Sequence, residues 1–329
     1  MRGPAIALVG ALDAGVLRAA GWQVRGALHL TPYDDLRDVP SYAGIEDLLA
    51  DAALDAVCLD GSDALLARHL PTLREHGLHV LLPSPAPLDP LLLRDARAVE
   101  GPAFEGGPRR LVEDPSRPAR SGAAPAEVAV GLLERWEPWA LTAAAAIPLV
   151  GSPVVQATVR GWPRGVGAAA ELVDLARAWC GDVVSVVAAP APLPAADLGG
   201  GLPVAWALLH ASGATTLVSH EGAPPVARLS FDTARLEVGP LGAQWVGGAQ
   251  IPLLPAADRR DVPHQAAVPP GTALGFLGCA VDLLHAVPRA EIGTGSWPWP
   301  ADLGDLQAVS RVLGALRESA RLEAPARVA

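Results

Sequence analysis

Ala5-Ile6-Ala7-Leu8-Val9 runs straight into Gly10-Ala11-Leu12-Asp13-Ala14-Gly15, and this junction decides how the chain folds. Five consecutive apolar residues predict a strand buried on both faces, and Asp13 to Ala20 predict the helix that follows it. A strand, a glycine-bearing turn and a helix form the first part of a βαβ unit around a parallel sheet. The alternation continues over about the first 100 residues. Trp22 to Leu28 and Leu54 to Leu59 read as strands two and three, separated by a short helix at Ile45 to Ala50. Ala64 to His76 reads as a helix with leucines at helical spacing, His79 to Leu82 as strand four, and Leu91 to Val99 as a further helix.

Between 101 and 125 the composition turns to Gly, Pro and Arg, as in Gly106-Gly107-Pro108-Arg109-Arg110, which marks a boundary or loop. Two domains are expected, 1–120 and 121–329. In the second, a helical pattern covers 126 to 146, a strand 153–160 and a helix 168–180. Five closely spaced strands follow at Val183 to Ala189, Val204 to Leu209, Thr215 to His220, Ala227 to Phe231 and Ala234 to Val238. Turns such as Ser212-Gly213 between them predict an antiparallel sheet. Helices near 271–287 and 301–321 close the chain.

Composition narrows the function classes. A hydrophobic fraction of 50% with 18% charged residues describes a folded globular chain. The net charge of −10, without a basic stripe, argues against nucleic acid as a partner. All 25 basic side chains are arginine; lysine and asparagine are absent, as a GC-rich gene would produce. No apolar stretch reaches the roughly 20 residues that span a bilayer, and Asp13 and Gly15 interrupt the only run resembling a signal peptide, so no membrane association is expected. Cys58, Cys180 and Cys279 lie far apart, without metal-ligand or disulfide-framework spacing, which fits a reducing cytoplasm and no metal. His210, His220, His264 and His285 are equally scattered.

Ile45-Glu46-Asp47-Leu48-Leu49-Ala50-Asp51, Leu54-Asp55-Ala56-Val57 and Gly77-Leu78-His79-Val80-Leu81 together resemble the glucose-fructose oxidoreductase and inositol dehydrogenase family. In the second half, Glu171 to Trp179 with Gly181-Asp182-Val183, and Ala315-Leu316-Arg317-Glu318-Ser319-Ala320, continue the resemblance. It implies an α/β architecture: an N-terminal Rossmann-like doubly wound parallel sheet, then an α+β domain with a largely antiparallel sheet. It also implies NAD(P), a small-molecule ligand in the cleft between the domains, and a homodimer or higher oligomer formed through the open face of the second sheet.

The positions that carry the family's chemistry are changed. Its G-x-G-x-x-G turn, in which glycines let the backbone approach a pyrophosphate, reads Gly10-Ala11-Leu12-Asp13-Ala14-Gly15, with Leu12 obstructing that approach and Asp13 adding negative charge. At the end of strand two, where an acid commonly holds the ribose, stands His29, and His29 or Arg25 is a candidate for binding a phosphorylated ribose. The lysine of the E-K-P motif aligns with Ser84 in Pro83-Ser84-Pro85. In D-x-G-x-H-x-I-D the histidine aligns with Glu171 and the last aspartate is Asp174. Three apart on a helix, these carboxylates share a face, so Glu171 is either a general base with Asp174 beside it or a solvated residue next to an Asp174–Arg177 pair. Trp136, Trp139 and Trp162 are candidates for an aromatic pocket, and Arg109, Arg110, Arg117 and Arg120 for an anion-binding loop.

These losses point to a repurposed family member acting as a small-molecule-binding non-redox enzyme or accessory protein in bacterial specialised metabolism. A working NAD(P)-dependent reductase of an imine or ketone, using a non-lysine acid, is one alternative. A structural subunit of a hetero-oligomer is the other.

Overall fold

The computed structural model describes residues 5–10, 14–19, 22–28, 39–60, 64–83, 126, 128–162, 166–189, 205–220, 225–246, 250–251 and 301–328. The chain divides into two compact units. One comprises Met1–Gly131, Arg259–Arg289 and Trp299–Gln307; the other comprises Leu132–Asp258, Ala290–Pro298 and Ala308–Ala329.

In the first unit β1 (Ala5–Val9) is buried along its whole length. It pairs in parallel with β2 (Gln23–Leu28) on one side and β3 (Ala56–Leu59) on the other. β4 (His79–Leu82) and β5 (Val128–Val130) extend the sheet, giving the order β2-β1-β3-β4-β5. Ile6, Leu8 and Leu59 are fully buried, and each such side chain stabilises the unit by about 1.5–3 kcal/mol. Between the strands lie α1 (Ala14–Ala19), α2 (Ile45–Ala50), α3 (Ala64–Ala67) and α4 (Leu70–Glu75).

Two expectations for this stretch need correction. The single helix from Ala64 to His76 is two, because Pro71 lacks an N–H and its ring opposes the carbonyl four residues back, at Ala67, where α3 stops. The continuous helix over 126 to 146 is a strand, a 3₁₀ turn and a helix. Val128-Ala129-Val130 has the β-branched character of a buried strand and pairs with β4. A 3₁₀ turn occupies Leu133–Trp136, and Pro138 then holds Glu137 extended (φ −66°, ψ 139°) and starts α5 (Pro138–Val150). The expected helices at 91–99 and 271–287 lie outside the described residues.

The second unit is built on a nine-stranded sheet in the order β13-β12-β11-β10-β6-β9-β8-β7-β14. Its strands are β6 (Gln156–Arg160), β7 (Val183–Ala188), β8 (Ala205–His210), β9 (Thr215–Ser219), β10 (Val226–Ser230) and β11 (Arg235–Gly239), all foreseen to within three residues. Three short strands, β12 (Gly242–Trp245), β13 (Gln250–Ile251) and β14 (Ala326–Arg327), were not. β6 and β9 run parallel; the other pairs are antiparallel.

Burial alternates along these strands, so one face meets the core and the other is open. Register aligns one row across the open face: Val187, Ala207, Leu217, Thr158, Arg228, Glu237 and Gln244. It begins apolar and turns polar, with Arg228 and Glu237 paired at 2.6 Å. α6 (Val166–Cys180) packs near the 3₁₀ turn, α5, β6 and β9. In α7 (Leu303–Leu322) the buried Ser319 hydroxyl accepts the N–H of Ala188 at 3.0 Å and donates to the Ala324 carbonyl at 2.6 Å. Trp139, Trp162 and Trp179 pack edge to face as core, so Trp139 and Trp162 line no open pocket. Among the described residues no helix is long and apolar enough to cross a membrane.

Candidate functional site

In an open parallel sheet, ligands bind beyond the carboxyl ends of the strands where strand order reverses, here between β1 and β3. Gly10 leaves β1 and Asp60 leaves β3 at this point. The Asp60 N–H donates to the Val9 carbonyl at 2.9 Å, and the Gly10 N–H to the Leu28 carbonyl at 3.0 Å. Gly10 has φ +102°, and a Cβ there would lie 2.6 Å from Asp60 Cβ and 2.8 Å from Leu66 Cδ1. The glycine is therefore demanded by the protein's own packing. Gly15, on α1, is exposed. Leu12, His29 and Ser84 lie outside the described residues, as do Arg109, Arg110, Arg117 and Arg120. Pro83, just before Ser84, is described. Its carbonyl oxygen would be 2.5 Å from a Cβ on Gly131, so the chain around β4 and β5 approaches backbone to backbone.

A pyrophosphate cradle here would be formed by the turn after Gly10, whose residues 11–13 lie outside the described residues. Among the described residues, the Asp60 methylene packs against Gly10, and Arg25 on β2 lies 4.0 Å from Asp51. A dinucleotide needs backbone N–H groups and positive charge at this position.

The second place is the face of α6 in the other unit. Glu171 and Asp174 do share that face, and both meet the 3₁₀ turn Leu133–Trp136. The Glu171 carboxylate accepts the backbone N–H of Glu134 at 3.2 Å. Asp174, 1% exposed, receives both Nε and a terminal nitrogen of Arg135 in a bidentate ion pair. The expected alternative, Asp174 with Arg177, is corrected: Arg177 pairs with Asp182 at 2.9 Å, because Asp174 points from α6 toward the turn.

Glu134 emerges as the chemically distinctive member. It is half-buried, and among the described residues no hydrogen-bond or ion-pair partner faces its carboxyl. Burial, with a smaller contribution from the neighbouring Glu137 carboxylate, pushes its carboxyl up to about 7. A carboxyl near neutrality exchanges protons in both directions at physiological pH. The sequence reading missed it because a helix drawn through 126–146 erased the turn. Pro138, which forces the preceding residue to be extended, was the available signal.

No metal-ligating group of three or more His, Cys, Asp or Glu occurs among the described residues. Cys58 and Cys180 are buried free thiols.

No protein-family model matches the chain, and no curated protein matches it in sequence. Solved structures match along its whole length. An oxidoreductase from Agrobacterium radiobacter, in complex with NAD+, L-tartaric acid and magnesium, has a TM-score of 0.65 at 15% identity over 100% of this chain and 99% of that one. Aldose-aldose oxidoreductase from Caulobacter crescentus, complexed with glycerol, gives 0.65 at 16% over 99% and 100%. The WlbA dehydrogenase from Bordetella pertussis, in complex with NADH and UDP-GlcNAcA, gives 0.66 at 15% over 100% and 98%. From end to end, the chain has the fold of these oxidoreductases.

Proposed function

We propose that the chain is a divergent member of the glucose-fructose oxidoreductase and inositol dehydrogenase family that binds a small polyhydroxylated molecule and no longer transfers hydride to a nicotinamide. The observation that carries this reading is the engagement of both α6 carboxylates by the chain itself. Glu171 holds a backbone N–H and Asp174 an arginine, where the resemblance places a catalytic pair. Proton exchange then falls to Glu134, with Glu171 and Asp174 as positioning residues. The polyhydroxylated ligands of the structural neighbours suggest the substrate class.

Titration of the purified chain with NADH and NADPH by calorimetry, repeated on Leu12→Gly, tests the proposal. No saturable binding by the unmutated chain is expected; micromolar binding would overturn it.

The neighbours crystallised with NAD+ or NADH favour a second reading, an NAD(P)-dependent reductase of an imine or ketone using a non-lysine acid. The open sheet face, apolar at Val187, Ala207 and Leu217, supports assembly as a homodimer or higher oligomer, or as a subunit of a hetero-oligomer. The free thiols of Cys58 and Cys180 favour the cytoplasm.

A further inference from the structure

The loop joining β8 to β9 grips the C-terminal end of α6. Gly181, in the left-handed conformation (φ +90°), ends the helix, and its N–H donates to the Arg177 carbonyl at 2.8 Å. The carbonyls of Cys180, Gly181 and Asp182 are taken one by one by the loop. The Ser212 hydroxyl donates to Cys180 at 2.6 Å, the Ala211 N–H to Asp182 at 2.7 Å, and the His210 ring to Gly181 from Nδ1 at 2.6 Å.

A carbonyl only accepts, so Nδ1 carries the proton of the neutral ring. Nε2 is then the acceptor for the Thr216 hydroxyl at 2.8 Å. His210 is 2% exposed and Thr216 fully buried, with Cys180 Sγ 3.8 Å from the Thr216 oxygen. In this state each ring nitrogen has the partner its protonation requires. A second proton on the ring makes Nε2 a donor, so the Thr216 hydroxyl must turn to accept, with only the distant Cys180 Sγ to receive its own proton, and it leaves a cation out of reach of bulk water.

We infer that the 210–216 loop is an acid-released clasp on α6, closed while the His210 ring is neutral and opened when the ring takes up a second proton. Burial holds the folded ring below the ordinary imidazole range, with the Gly181 carbonyl and Asp182 opposing but not cancelling that effect. Among the described residues, the charged and titratable groups around it are few. α6 brings Arg177 and Cys180, the turn after it brings Asp182, and Arg177 and Asp182 pair with each other. β7, whose Val183 is in register with His210, and β9 bring no ionisable side chain. Because the open form binds the proton more readily, opening becomes easier as pH falls below the unfolded value of about 6.5. The consequence for activity rests on the proposed role of the α6 face: releasing one end of the helix loosens the helix that holds Glu134 and Arg135.

Hydrogen exchange of the full-length, ligand-free chain between pH 7.5 and 5.0, corrected for intrinsic exchange, tests the clasp independently of any substrate. Protection at 176–184 and 208–216 is expected to fall by up to about tenfold per pH unit below about 6.5. Peptides from β1 and β3 should hold, and His210→Gln should flatten the dependence. Equal loss in β1 and β3, or a loss that survives in His210→Gln, would overturn the inference. Should the variant fail to fold, ring ¹⁵N shifts of His210 in the unmutated chain decide. They should show the Nδ1–H tautomer at pH 7.5 and titrate together with the loss of protection; a ring that titrates while the loop stays protected overturns the clasp.

Discussion

The carboxylate of Glu171 accepts the backbone N–H of Glu134 at 3.2 Å, and one turn further along α6 Asp174 holds the guanidinium of Arg135. Two helix carboxylates three residues apart thus fix two consecutive residues of a single 3₁₀ turn. The turn is held by its backbone and its arginine, and the carboxyl of Glu134 is left to the surroundings.

Asp174→Asn should destabilise the chain by up to about 3–5 kcal/mol, since it removes a buried carboxylate that grips Arg135 in a bidentate pair. The double replacement Arg135→Met with Asp174→Leu should recover part of that loss, because both charges of the buried pair are removed together. Urea denaturation of the three variants measures both effects. An additive double variant would show that the two side chains act separately.

Glu134→Gln should leave stability at pH 4 unchanged and raise it at pH 8. The folded carboxyl titrates near 7 and the unfolded one near the ordinary value, so the folded state binds the extra proton between them and loses stability as pH rises through that window. With its partial exposure discounted, the gain is on the order of 1 kcal/mol at pH 8. Chemical denaturation at the two pH values provides the comparison, and any catalysed proton exchange should lose its ionisation near pH 7.

Gly10→Ala should cost about 2–4 kcal/mol, from a positive φ and from a methyl group forced against Asp60 and Leu66. Leu12→Gly, by contrast, tests ligand approach. Thermal unfolding of Gly10→Ala reads the packing role directly.

Leu217→Arg combined with Val187→Arg places two charges in the apolar end of the open row of the second sheet. If copies of the chain meet there, light scattering will show a lower mass with an unchanged circular dichroism spectrum. An unchanged mass would assign that face to another use.

The first unit was legible because its strands announce themselves. Ala5–Val9 and Ala56–Leu59 are uninterrupted apolar runs, as strands buried on both faces must be, and Ile45–Ala50 was delimited to the residue. The second sheet was legible through its alternation. What escaped depends on single residues that override a pattern: Pro71 dividing one helix, Pro138 turning an apparent helix into strand, turn and helix. The short strands β12 to β14 escaped because two to four residues carry no periodicity. At the candidate site, spacing placed Glu171 and Asp174 on one face, but their partners lie 37 and 39 positions earlier, and no local pattern encodes a contact of that range. Glu134 acquires its character from burial, which exists only after folding.

β14 pairs with β7 at the edge of the nine-stranded sheet, and the Ser185 hydroxyl reaches the Ala326 carbonyl across 141 positions of sequence. β7 thus has its outer edge partly covered only by a segment far along the chain from it. Loop closure over such a separation is slow compared with the hairpin joining β8 and β9. Until that closure β7, paired on its other side with β8, would present an open edge rich in valine to a neighbouring chain.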